Sequence, residues 1–101
     1  MEYKPGSRWK SAVCSSEIVV VRPPKSEGEL TCGGAPMVPH DAAAPAGDLD
    51  PAWSGGLSIG KRYVDDASGI EVLGAKAGKG SLAYGGQPLR LKEAKPLPAS
   101  D

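Results

Sequence analysis

Leu30-Thr31-Cys32-Gly33-Gly34-Ala35-Pro36-Met37 returns further along the chain as Leu82-Ala83-Tyr84-Gly85-Gly86-Gln87-Pro88-Leu89. Leucine, a Gly-Gly pair, proline and a closing apolar residue recur at one offset. Self-similarity at a fixed spacing is the signature of a repeated structural unit. The two stretches therefore predict two copies of one small β module, the first keeping cysteine and the second none. Each copy reads as a short strand, a glycine turn and an extended edge.

Upstream of the first stretch, Glu17-Ile18-Val19-Val20-Val21-Arg22 is a continuous β-branched run and the strongest strand signal in the chain. Pro23-Pro24 ends it, because proline cannot donate to a strand ladder. Arg8 to Cys14 predicts a first strand, and residues 1–7 a frayed start. Upstream of the second stretch, Tyr63 to Ser68 matches Trp9 to Cys14. Ile70-Glu71-Val72-Leu73 is then set against Ile18 to Val21, with Ser16 and Glu17 left unmatched. Gly74 to Gly80 reads as a turn and Leu89 to Lys92 as a last strand. The expected core is Val19, Val21, Leu30, Val72, Leu82 and Leu89.

The fold class that follows is all-β. Two modules, residues 8–39 and 60–93, are related by a pseudo-two-fold axis. A Pro/Ala/Gly-rich linker, residues 40–59, joins them, and an extended tail covers residues 94–101. Fourteen glycines and ten prolines among 101 residues oppose long helices. Twelve basic residues balance twelve acidic ones, so no basic footprint for nucleic acid is present. No run of 18 apolar residues marks a membrane span, and residues 1–10 lack the apolar core of a signal peptide. These features place the expected protein in the cytoplasm, away from nucleic acid and membrane.

Trp9-Lys10, the Ile18–Val21 run and Leu30 to Met37 together resemble one family. It comprises desulforedoxin and the desulforedoxin-like amino-terminal domain of desulfoferrodoxins. That resemblance implies short rubredoxin-type β modules that pair as a dimer, each holding one iron with four cysteines. In the first copy the ligand positions fall on Ser11, Cys14, Cys32 and Gly33. In the second they fall on Asp65, Ser68, Tyr84 and Gly85. A tetrahedral iron or zinc site needs four donors, and glycine supplies none. The expected metal site is therefore vestigial, with Cys14 and Cys32 its surviving donors.

Three states are open to that pair. They are buried reduced thiols, a disulfide closing the 17 intervening residues, or iron or zinc completed by His40, Asp41 or a second chain. Gly74-Ala75-Lys76-Ala77-Gly78-Lys79-Gly80-Ser81 departs from a phosphate loop in glycine spacing and in the residue after lysine. Asp65-Asp66 reads as a solvated turn, and no nucleophile–base set is available. The leading expectation is thus a small non-catalytic accessory protein with no cofactor. It would bind a partner protein, an enzyme subunit or a second copy, with Trp9, Trp53, Arg62 and Tyr63 as candidate contacts. The alternative is a metal-binding or thiol-redox protein using Cys14 and Cys32.

Overall fold

Gly33 and Gly34 carry φ values of +67° and +87°, and Gly85 and Gly86 carry +58° and +84°. Positive φ at both central residues defines the type I′ hairpin turn, whose twist matches that of its flanking strands. In the computed structural model, which describes residues 3–42 and 47–92, each Gly-Gly pair closes such a hairpin. The first joins β3 (Leu30–Cys32) to β4 (Ala35–Pro36), and the second joins β8 (Leu82–Tyr84) to β9 (Gln87–Pro88).

The chain is all-β, with two antiparallel sheets and no α-helix among the described residues. The larger sheet contains β1 (Arg8–Lys10), β2 (Glu17–Arg22), β5 (Val38–Pro39), β6 (Arg62–Val64), β7 (Glu71–Lys76) and β10 (Arg90–Leu91), in the order β10-β6-β7-β2-β1-β5. The smaller sheet runs β4-β3-β8-β9. Both sheets draw strands from both halves of the chain, and both join the halves at their centres, through β2–β7 and β3–β8.

Register repeats as well as order. Arg8 opens β1 and Arg62 opens β6, 54 residues apart, and the same offset carries β2 onto β7. Leu30 and Leu82, 52 apart, open β3 and β8, and that offset carries β4 and β5 onto β9 and β10. Trp9 faces Ile18 as Tyr63 faces Val72. Across the central pair, Ile18 faces Gly74 while Val20 faces Val72, and Glu17 faces Lys76 while Arg22 faces Glu71. The two-residue difference therefore falls between β2 and β3, not at Ser16 and Glu17. Ile18 corresponds to Val72, and Ile70 to Ser16.

The expected core needs a matching correction. Ile18 and Val20 are buried, whereas Val19 is only half-buried and Val21 is exposed. A strand's side chains alternate between faces, so moving the inward set by one residue exchanges the whole set. Leu30, Val72 and Leu82 are buried as expected, Leu89 packs against the core, and Met37 and Ile70 are buried in it. Each such side chain contributes roughly 1.5–3 kcal/mol of burial. Residues 3–7 are not frayed: Tyr3 is buried, its ring packs 4.8 Å from Trp9, and its hydroxyl accepts from Leu30 N–H at 2.8 Å. Gly74 to Lys76 extend β7 and do not turn.

The joining segment is part of the fold. Pro51–Trp53 forms a 3₁₀ turn started by Asp50, whose carboxylate accepts from Ala52 N–H. Leu57 is buried, and its N–H and C=O bond to Gly78. Ala43 to Ala46 and the expected tail, 94–101, lie outside the described residues.

Glu71 is a buried carboxylate, 3% exposed. Burial works against its charge. The Lys92 ammonium at 3.0 Å, the Arg62 guanidinium at 3.3 Å and the charge of Arg22 outweigh it and hold the carboxyl below its ordinary 4.5. A carboxylate with a depressed folded value stabilises the fold above its unfolded value, and that stabilisation disappears as pH falls through the folded one. Glu71→Gln is therefore expected to flatten the loss of stability below about pH 4.5, by about 1 kcal/mol because both cations are half-exposed. Urea titrations of the two proteins at pH 3.5 and pH 7 check this: equal slopes in both would refute it.

Candidate functional site

The connection from β1 to β2 folds around the Ser11 hydroxyl. Ser11 Oγ accepts from Val13 N–H and Cys14 N–H, each at 3.1 Å, a local hydroxyl-centred turn. Ser11 N–H in turn donates to Ser16 C=O at 2.8 Å. This closed turn presents Cys14, half-buried, toward Cys32, which ends β3 and is fully buried. The two sulfurs lie 3.9 Å apart, and Ser16 Oγ lies 3.3 Å from Cys14 Sγ. Of the four positions implied by the resemblance, the structure therefore brings Ser11, Cys14 and Cys32 together.

The fourth position, Gly33, is sealed by apolar side chains. A Cβ there would meet Leu49 Cδ1 at 2.5 Å and Val13 Cγ2 at 2.6 Å. The joining segment thus fills the space a ligand side chain would take. Across the sulfur pair stands Gly80, where a Cβ would approach Gly33 N at 2.8 Å and Cys32 Sγ at 3.0 Å. Glycine at 80 lets the loop before β8 close over Cys32.

The two thiols are unlike. Burial opposes the thiolate of Cys14, but hydrogen bonds from the Ser11 and Ser16 hydroxyls and from the Ser16 and Gly80 backbone outweigh it and lower the thiol to about 7. Burial, reinforced by the charge of Cys14, pushes Cys32 up to about 12. Cys14 is therefore the more readily ionised of the two and is partly accessible, while Cys32 is a buried thiol in contact with it. Ser16 and Gly80 complete this environment. Ser16 is signalled only by lying two residues after Cys14, and Gly80 comes from the other half of the chain.

A four-donor iron or zinc centre does not fit these residues. Among the described residues no His, Asp or Glu joins the two cysteines into a group of three. His40 follows β5 on the surface, its N–H bonded to Arg8 C=O. In the second half, Asp65 accepts from the Ser68 hydroxyl at 2.7 Å and from Ser68 N–H at 3.2 Å. Tyr84 takes the place of Cys32, its ring over Gly28 and its hydroxyl donating to Ser26 C=O at 2.7 Å. Asp66 is exposed and paired with Arg90 at 2.8 Å.

The four candidate contacts are differently placed. Trp9 is 5% exposed, held between Tyr3 and its strand partner Ile18, and offers no interface, because its side chain belongs to the inward set. Tyr63 is half-buried, its hydroxyl accepting from Ser58 N–H at 2.9 Å. Arg62 is exposed but reaches Glu71. Trp53 is half-buried and packs toward Gly34, where a Cβ would come within 3.3 Å of Trp53 Cδ1. Among the described residues the exposed large apolar ones are Val21, Ile59 and Leu91.

Among the described residues no helix is long and apolar enough to cross a membrane. No family model, curated protein or solved structure matches the chain.

Proposed function

We propose that the chain is a thiol-redox protein whose working group is the Cys14–Cys32 dithiol. The observation that carries this is the 3.9 Å contact between an activated, partly accessible thiol and a buried, unactivated one. The thiolate is the reacting form, and a thiol titrating near ambient pH is the best placed to attack a disulfide.

In the proposed reaction Cys14 Sγ⁻ attacks one sulfur of a low-molecular-weight or protein disulfide. The partner's S–S bond breaks, one partner sulfur leaves as thiolate, and Cys14 is held in a mixed disulfide. Cys14 has then lost the negative charge that disfavours ionisation of Cys32. Cys32 gives up its proton to water and attacks Cys14 Sγ, forming the Cys14–Cys32 bond and releasing the second partner thiolate. Two electrons pass to the partner, whose two thiolates take their protons from water, and the reverse sequence oxidises two partner thiols to a disulfide while reducing the Cys14–Cys32 bond. In a reducing compartment such as the cytoplasm the pair rests as thiols.

Oxidised glutathione and mass spectrometry test this. The wild-type chain is expected to lose two hydrogens and form one internal disulfide. Cys32→Ser is expected to stop at a glutathione adduct on Cys14. Alkylation by iodoacetamide is expected to titrate with a midpoint near 7 at Cys14. At pH 7 it should run about fivefold faster than for an unperturbed thiol, because a roughly fiftyfold gain in thiolate is offset by weaker intrinsic nucleophilicity. Alkylation of Cys14 at the unperturbed rate, or tight stoichiometric iron or zinc lost in Cys14→Ser, would overturn the reading.

A second reading is the accessory protein, a duplicated desulforedoxin-like module kept for partner binding. It is favoured by the second half, where Asp65, Ser68 and Tyr84 close the equivalent pocket with hydrogen bonds and no thiol.

A further inference from the structure

The repeated register gives this chain two equivalent faces, and only one of them is covered by described residues. On the first, the Gly33–Gly34 turn and Ser81 receive the joining segment. Asp50 N–H donates to Gly33 C=O at 3.0 Å, and Ser81 N–H donates to Trp53 C=O at 2.8 Å. Leu49 lies over Gly33, while Asp50 and Trp53 lie over Gly34. Two main-chain bonds and two apolar side chains thus hold residues 49–53 against a face built of Gly33, Gly34, Gly80 and Ser81.

The same offset of 52 places Gly85, Gly86, Gly28 and Glu29 in the second face. The correspondence is kept in detail: Gly33 N–H donates to Ser81 C=O as Gly85 N–H donates to Glu29 C=O. Its surroundings differ. Among the described residues Gly85 and Gly86 have no neighbour within 4 Å of a Cβ position, and the atoms nearest to one at Gly28 are those of the Tyr84 ring. All four residues are exposed. Glu29 N–H and Gly85 C=O, the counterparts of the two groups that hold residues 50–53, take no hydrogen bond among the described residues. Three glycines leave this surface without side chains, so another backbone can approach it closely.

We propose that this open face receives an extended segment of a partner protein. The segment would present an apolar residue, an acidic residue directly after it and an aromatic residue three further on. Its chemistry is that of Leu49-Asp50-Pro51-Ala52-Trp53, which the molecule already binds at the equivalent place. Main-chain bonds to Glu29 and Gly85 set its path, and the apolar and aromatic side chains supply most of the affinity. The chain's own residues 49–53 are committed to the first face and held there further by the buried Leu57. The same holds in a second copy, so the occupant comes from a different protein. The proposal names the partner chemistry of the accessory reading and is independent of the thiols.

The test is a titration of the isotope-labelled full chain with a synthetic peptide of residues 47–57, followed through backbone amides. Saturable shifts are expected at Glu29, Gly85 and Gly86, unchanged in the double variant Cys14→Ser, Cys32→Ser. Alanine in the peptide at the tryptophan position is expected to weaken binding at least tenfold. Glu29→Pro, which removes the N–H, should abolish binding, whereas Glu29→Gln should keep it. Shifts confined to Gly33 and Gly34 would overturn the proposal, as would no saturable shift or insensitivity to the peptide tryptophan. So would binding only to a chain ending at Lys92, which would assign the face to residues 93–101. Failure with this peptide while the chain still captures a partner through other residues would leave the accessory reading standing and remove only this face.

Discussion

Ile18→Ala is expected to destabilise the fold by about 2–5 kcal/mol, while Val21→Ala stays within about 1 kcal/mol of wild type. Ile18 is completely buried in β2, between Trp9 on one neighbouring strand and Gly74 on the other. Truncation removes three carbons from a site hemmed in on both sides by paired strands, so the cavity cannot collapse and its cost adds to the lost transfer free energy. Val21 lies in the same run but is 39% exposed and faces the other way. For a domain of this size each kcal/mol moves the melting temperature by roughly 4–8 °C, so the two variants should differ by at least about 4 °C. Equal losses in the two would mean that β2 is not held in this register.

Gly74→Ala is expected to cost about 3 kcal/mol or more. Gly74 sits inside β7, and a Cβ there would fall on the carbonyl oxygen of Ser58, with Leu57 Cδ2 only 3.2 Å away. The obstructing atom is main chain, so no side-chain rotation relieves the clash. The joining segment must lift, taking the buried Leu57 and its two bonds to Gly78 with it. Overpacking in cores typically costs 1–3 kcal/mol, and a clash that also unseats an apolar side chain lies at or above the top of that range. Chemical denaturation measures the loss. The amide of Gly78 is expected to lose protection from hydrogen exchange in the variant. A Gly74→Ala chain as stable as wild type would show that Ser58 does not approach β7.

The stretch Leu30 to Met37 and its echo made the two Gly-Gly hairpins legible. The Gly-Gly pairs, which need positive φ, sit where both hairpins turn. The parity of β2 was not legible, because Ile18, Val19, Val20 and Val21 are all branched and apolar and carry no alternation. A gapless match of Trp9 with Tyr63 carried through to Val72 assigns Ile18 inward; a gap placed at Ser16 hides this. Gly74 reads as a turn because it opens a glycine-rich stretch, yet it lies inside β7. A glycine inside a strand more often marks a close backbone approach, here that of Ser58.

The site was half legible. The resemblance implies that Cys14 and Cys32 lie close together, and their sulfurs are 3.9 Å apart. Their inequality could not be read from that resemblance. It arises from Ser11, Ser16 and the backbone of Gly80, the last brought over from the far half of the chain. The sealing of Gly33 by Leu49 was equally hidden, since a Pro/Ala/Gly-rich joining segment gives no periodicity from which packing can be inferred.

The shared sheets also bear on how the molecule is made. Both central pairings, β2 with β7 and β3 with β8, join residues about half the chain apart. During synthesis β2 and β3 emerge first and must wait, apolar and edge-exposed, until β7 and β8 follow. Neither sheet can close before β7 and β8 have been made, so folding is slowed by the entropy of bringing distant segments together.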